Sequence, residues 1–142
     1  MGYSIFSCKT NTLNIMSEIE VKYFTPREAQ KTLPLVKKIV KDILDTSFQI
    51  RTIAESIGGN IEENPTINQL VIEMNDYMKE LEELGCFYRD WNFSIGLVDF
   101  PSVIDNQDVY LCWRSDEPEI TYYHGVNEGF AGRKLIPRDY LD

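Results

Sequence analysis

No stretch of this chain approaches the roughly 20 apolar residues that a membrane-spanning helix needs, and its first fifteen residues lack the basic start and apolar run of a secretory signal. Gly2 is followed by Phe6, where an N-myristoylation motif needs Ser or Thr. Histidine occurs once, and the three cysteines, Cys8, Cys86 and Cys112, contain no C-x-x-C pair. That speaks against a disulfide framework and a cysteine zinc site, and fits a reducing cytosol. Basic residues are in deficit, 14 against 23 acidic, for a formal net charge of -9. Such a surface repels phosphate backbones, so nucleic acid is not an expected partner. The glycine-rich segment Gly129-Phe130-Ala131-Gly132-Arg133 has neither the Lys-Ser/Thr ending nor the strand-to-helix setting of a phosphate loop. There is no internal repeat and no low-complexity tract.

What is present is the composition of an ordinary globular domain: 142 residues, 43% hydrophobic and 26% charged, enough for one core without staples. Residues 1–17 read as a flexible N-terminal extension, with Met16 before Ser17-Glu18 as an alternative start to Met1. Residues 18–137 form one α+β domain, divided into a strand plus helical hairpin (18–85) and a sheet and motif-rich region (86–137), followed by a tail at 138–142. A cytoplasmic protein is expected.

Ile19, Val21 and Tyr23 alternate with charged residues as a half-buried strand would. Thr25-Pro26-Arg27-Glu28 then combines an N-cap, a proline at the first helical position and a capping-box glutamate. Pro34 predicts a kink or a restart in that helix. Val36, Val40, Ile43, Ser47, Ile50, Ala54 and Ile57 follow at alternating steps of four and three, until Gly58-Gly59-Asn60. A second helix, capped at Thr66 with Gln69, carries Ile67, Leu70, Met74, Tyr77, Leu81 and Leu84 and stops at Gly85. The two helices, roughly 35 Å and roughly 28 Å long, match as an antiparallel hairpin. Lys37, Lys38 and Lys41 would then face Glu80, Glu82 and Glu83, a balanced solvated surface in preference to a phosphate patch.

Beyond Gly85 the period becomes two, and turn residues recur at short intervals, predicting a mainly antiparallel sheet of three or four strands. A hairpin tip at Asn106-Gln107 pairs Ile104 with Val109, Phe100 with Trp113 and Asp99 with Arg114. A four-residue loop at Ser115-Asp116-Glu117-Pro118 next pairs Arg114 with Glu119, Trp113 with Ile120 and Leu111 with Tyr122. One face then holds Val98, Phe100, Ile104, Val109, Leu111, Trp113, Ile120 and Tyr122 against the helices. The other collects Asp99, Tyr110, Cys112, Arg114, Glu119, Thr121 and Tyr123. A one-residue change in either loop exchanges the faces.

The candidate chemistry lies on the polar face. Arg114 between Asp99 and Glu119 is either a cross-strand charge cluster on a solvated sheet or an arginine whose spare donors meet an anion. Arg133 is a second cation that could close over the sheet, or a structural ion pair. His124 is the one side chain that titrates near neutrality and so the natural general acid or base, or else a strand-end histidine satisfied by a neighbour. Cys112 reads as a small buried residue, with acyl transfer beside His124 as the remoter alternative. Glu117, Glu119, Asp99 and Glu128 could supply metal oxygens, but their spacing demands no metal, and no cofactor is identified.

Several blocks together carry a family signature: Phe24-Thr25 with Glu28-Ala29 and Leu33-Pro34, Gly96 to Pro101, Val109-Tyr110-Leu111-Cys112-Trp113-Arg114, Glu119-Ile120, Tyr123-His124, and Gly129 to Arg133. Over about residues 23–135 the chain resembles domain-of-unknown-function family two-two-zero-three. The resemblance implies a small cytosolic prokaryotic protein with a helical first half and a motif-rich second half, and no transferable activity. Tyr123 stands where a tryptophan is the common residue, and the Gly58-Gly59-Asn60 insertion and the tail after Pro137 are particular to this chain. The expected partner is an anionic small molecule held by Asp99, Arg114, Glu119 and Arg133, with His124 moving a proton. The alternative is a homodimer or other interaction module built on the helical hairpin.

Overall fold

A computed structural model describes residues 21–141. Helix α1 runs from Pro26 to Ile57 and α2 from Pro65 to Leu84, with a single 3-10 turn, Ile61–Glu63, between them. Five strands follow, β1 (Phe87–Tyr88), β2 (Leu97–Ile104), β3 (Gln107–Arg114), β4 (Tyr122–Gly125) and β5 (Lys134–Leu135). They form one antiparallel sheet in chain order. The α+β class is therefore as expected, but the sheet has five strands rather than three or four, with β1 and β5 as short edge pieces. β1 and β5 are two residues each, too short for a period to show.

The start of α1 follows its sequence closely. Thr25 accepts from the Glu28 N–H, and Glu28 returns the bond to the Thr25 N–H, both at 3.0 Å, which satisfies two of the orphan donors of the first turn. Pro34 does not divide the helix. It stands on the exposed face, where the Gln30 carbonyl that loses its helical partner can turn to water. α2 is capped by Asn64 rather than Thr66: the Asn64 side chain accepts from the Ile67 N–H at 2.9 Å, and Pro65 occupies the first helical position. Gly58 and Gly85, at φ 58° and 102°, end the two helices in the left-handed region.

Along the expected seam Val36, Val40, Ile43 and Ser47 are buried, whereas Ile50 and Ala54 are half-buried and Ile57 is exposed, so the far end of α1 extends past the core. The lysines find partners other than the expected glutamates. Lys38 pairs with Asp42 and Lys41 with Asp45 one turn on, and Lys37 donates to the Pro118 carbonyl. Nor does the described part of the first predicted strand, Val21 to Tyr23, join the sheet; Ile19 lies outside the described residues. That segment is fastened instead at Phe24, whose N–H donates to the Pro101 carbonyl and whose carbonyl accepts from the Ser102 hydroxyl.

The β2–β3 tip is Asp105-Asn106, both at positive φ (54° and 65°), one residue earlier than expected. Moving a tip by one residue shifts every partner by two, so Phe100 pairs with Leu111 and Asp99 with Cys112, while each side chain keeps its face. Val98, Phe100, Ile104, Val109, Leu111 and Trp113 are accordingly all buried toward α1 and α2. The β3–β4 loop, 115–121, is longer than the expected four-residue turn. Ile120 leaves the ladder and pairs instead with the Gln30 side chain of α1, which donates to its carbonyl at 3.1 Å and accepts from its N–H at 2.9 Å. Strand pairing resumes one residue out of the expected register, with Leu111 opposite Tyr123 and Tyr110 opposite His124. Tyr122 and Tyr123 thereby exchange faces, and His124 joins Asp99 and Cys112. After Pro137, a 3-10 turn at Arg138–Tyr140 brings the Tyr140 hydroxyl to the Asp105 N–H and carboxylate. Among the described residues, no helix is long and apolar enough to cross a membrane.

Gly96 closes the open end of the β2–β3 hairpin, its N–H donating to the Ser115 hydroxyl and its carbonyl accepting from the Ser115 N–H. A Cβ here would lie 2.3 Å from Cγ1 of Val40, a stiff, buried side chain. Gly96→Ala is expected to lower stability by about 1–3 kcal/mol. Val40→Ala should cost less in the Gly96→Ala background than alone, because it removes the clash. Denaturant unfolding of the four proteins in this cycle measures the coupling, and additive effects would refute the close approach.

Candidate functional site

β2, β3 and β4 each contribute one buried polar side chain to the sheet face turned away from the helices: Asp99, Cys112 and His124. Asp99 and Cys112 are direct cross-strand partners, and His124 lies opposite Tyr110, one position diagonal from Cys112. Above them is an open cavity of about 420 Å³, bounded also by Arg89, Leu97, Tyr110 and the segment Val126 to Phe130.

The His124 ring is held at both nitrogens. Nδ1 donates to the Gly125 carbonyl at 2.8 Å, and Nε2 meets Asp99 Oδ1 at 3.1 Å. Both neighbours are acceptors, so the arrangement calls for a proton on each nitrogen, an imidazolium. Burial alone would pull the ring's pKa down, but the hydrogen bond to Asp99, with smaller contributions from Cys112 and Gly125, outweighs it and pushes the value up to about 10. The other Asp99 oxygen accepts from Arg89 Nε at 3.1 Å. Arg89 comes from the chain just after β1, where its N–H bonds the Leu97 carbonyl and continues the pairing of Phe87 with Asp99. Its guanidinium lies over the Phe87 and Tyr110 rings, with 43% of the side chain still exposed.

Burial pushes the Cys112 thiol up, against the opposing pull of a hydrogen bond to His124. A protonated imidazole has no lone pair with which to take the thiol's proton, so as arranged Cys112 is not an activated nucleophile. The three side chains do share another property. A carboxylate oxygen, the sulfur and a ring nitrogen all lie within 4.8 Å of one another, which makes them a potential metal-binding group.

The predicted site residues divide. Asp99, Cys112 and His124 come together, although Asp99 pairs with Arg89 and His124 rather than with Arg114. Arg114 is bound by Asp116 at 2.7 and 2.9 Å, because the turn after β3 brings that carboxylate back beside it. Glu119 is exposed on the 115–121 loop and does not line the cavity. Arg133 forms a two-pronged pair with Glu117 at 3.0 and 2.8 Å, lies 4.2 Å over the Tyr122 ring and reaches the Cys112 thiol. Arg114 and Arg133 both stack on Phe130, at 5.2 and 4.1 Å, and so place the 3-10 turn Phe130–Gly132 at the cavity's rim. Glu128 ties that turn to the end of β4 by accepting from the Gly125 N–H, and also pairs with Lys134. Sequence reasoning missed Arg89. The alternation Phe87-Tyr88-Arg89, with Tyr88 buried, is the signal that could have found it.

The family model described as an uncharacterized conserved protein (DUF2203) matches residues 22–136. No curated protein and no solved structure matches the chain.

Because its folded pKa exceeds the ordinary 6.5, His124 contributes stability that is complete below pH 6.5 and is lost as pH rises through about 10. The expected slope is at most about 1.4 kcal/mol per pH unit. Thermal unfolding across this range, with a chelator present because the cluster could bind metal, should show the decline in the wild type and a flatter profile in Asp99→Asn. Equal slopes would contradict a charged His124.

Proposed function

The chain thus belongs to the DUF2203 family, described only as uncharacterized, and from the site itself we propose that it binds a small anionic ligand in the cavity over Asp99, Cys112 and His124. The observation that carries this reading is the sharing of one buried carboxylate by two cations. His124 and Arg89 both pair with Asp99, and Glu128 and Glu117 are engaged by Lys134 and Arg133. With His124 protonated, one positive charge is left over at the cavity floor, in a protein whose net charge is otherwise -9. An anion entering there meets a planar guanidinium and an imidazolium already held in place, which lowers the ordering cost of binding. His124 supplies positive charge from beneath the cavity, both its N–H groups being engaged by Asp99 and the Gly125 carbonyl, and Asp99 is its positioning residue. Arg114 and Arg133 act through Phe130 by fixing the rim, and Glu119 takes no part.

A second reading draws on another observation. Phe48 on α1 and Ile72 on α2 are 62% and 55% exposed, and Leu35 and Val71 are exposed as well. These apolar side chains on the helical hairpin favour self-association.

Native mass spectra of freshly purified protein, alone and with inorganic phosphate, sulfate or succinate, test the first reading. A stoichiometric added mass is expected, and Arg89→Ala should weaken its binding about tenfold or more while the melting curve stays cooperative. Failure of every anion to add mass would sink the proposal. Light scattering over a concentration series tests the second: a dimer that Phe48→Glu dissociates is expected, and a monomer at every concentration rejects it.

A further inference from the structure

We infer that Asp99, Cys112 and His124 form a binding site for one divalent transition ion of the zinc class, with a fourth coordination position open to the cavity. The inference shares that cavity with the anion-binding reading but does not rest on it, since the three side chains can hold the ion without any anion.

Donor type is the first argument. One carboxylate oxygen, one sulfur and one imidazole nitrogen is a set that suits zinc, cobalt or ferrous iron and is foreign to magnesium or calcium sites. Three protein ligands with one open position is also the common plan of zinc sites that bind a small molecule. Spacing is the second. With metal–ligand distances of about 2.0–2.3 Å, neighbouring donors of a tetrahedron lie about 3.3–3.8 Å apart. The three atoms already fall within 4.8 Å of one another, and His124 Nε2 and Asp99 Oδ1 stand at 3.1 Å. Side-chain adjustments of well under an ångström to about one ångström, on a fixed backbone, complete the geometry.

The third argument is independent of the cluster itself. Metal-bound histidines characteristically donate their other ring N–H to a carbonyl or carboxylate, which fixes which nitrogen faces the ion. His124 does this through Nδ1 to the Gly125 carbonyl, aiming Nε2 at Asp99 and Cys112. Asp99 is steadied likewise, its Oδ2 held by Arg89 while Oδ1 faces the cluster. Arg133 lies beside the sulfur, where it would favour a thiolate. The carriers are three neighbouring strands rather than loops, so the donors keep their mutual placement. Entry of the ion releases the Cys112 proton and the proton held between His124 and Asp99. Two protons leave as a dication arrives, and the charge of the site is unchanged.

Chelator-stripped full-length protein, with Cys8→Ser and Cys86→Ser so that Cys112 is the only thiol, is titrated with cobalt(II) and then with zinc. One cobalt per chain is expected, with a near-ultraviolet thiolate-to-cobalt charge-transfer band and intense visible bands of a four-coordinate ion, all abolished by zinc. Cys112→Ser should remove the charge-transfer band. His124→Gln should weaken binding at least about tenfold, and Arg89→Gln, which removes no donor atom of the ion but loosens Asp99, should weaken it while keeping the band. Should a variant fail to fold by circular dichroism, zinc-edge X-ray absorption on the unmutated site decides, with one sulfur at about 2.3 Å and nitrogen or oxygen at about 2.0–2.2 Å expected. Absence of stoichiometric cobalt, a spectrum without the thiolate band, or an absorption fit without sulfur overturns the inference. Phosphate titrated into the stripped and zinc-loaded proteins separates the two readings. Phosphate binding without metal binding retains the anion site alone, and metal binding without phosphate binding retains the metal site alone.

Discussion

The pairing of β3 with β4 is the constraint on which the site depends. Strand side chains alternate, so a single residue of register decides whether His124 faces the helices or the cavity. With Tyr110 opposite His124, the ring meets Asp99 and the Gly125 carbonyl, and Tyr123 goes to the core in exchange. In the other register a polar ring would be pressed against Val109, Leu111 and the helices, at the cost of an unpaired buried group.

The sheet therefore works as a partition. Its inner face, with Phe100, Leu111 and Trp113, supplies the apolar burial that holds α1 and α2 in place. Its outer face is covered not by a second layer but by the returning chain, whose Phe130 is clasped by Arg114 and Arg133. That thin cover accounts for a cavity whose floor is fully buried while its rim stays open. Asp99, Cys112 and His124 can thus be both desolvated and reachable, the combination in which charge interactions are strong and a ligand can still enter.

Much of this was legible in the sequence, for identifiable reasons. The capping box at Thr25 and Glu28 and the stops at Gly58 and Gly85 are local signals and act locally. The faces of β2 and β3 were readable even though the tip was placed one residue late, because the resulting shift by two preserves alternation. What could not be read was decided by contacts distant in sequence. The length of the 115–121 loop follows from the bond between Gln30 and Ile120, ninety positions apart, and nothing in the loop announces it. Arg89 escaped notice because a two-residue strand carries no period, and Arg114 was misassigned because its partner Asp116 belongs to the turn whose shape was unknown.

The Gln30 contact also bears on the order in which the molecule is assembled. Its side-chain amide gives Ile120 the same donor and acceptor that a neighbouring strand would, so the helix serves briefly as an extra edge of the sheet. Closing so long a loop is entropically expensive and comes after local structure has formed. The helical hairpin, the β2–β3 hairpin and the β3–β4 ladder each join near neighbours in the chain, whereas the path of the 115–121 loop is tied to α1 through Ile120. The docking of α1 and the entry into β4 are thereby linked, so a helix that lends no side chain to the cluster of Asp99, Cys112 and His124 still helps to hold the strand that carries its histidine.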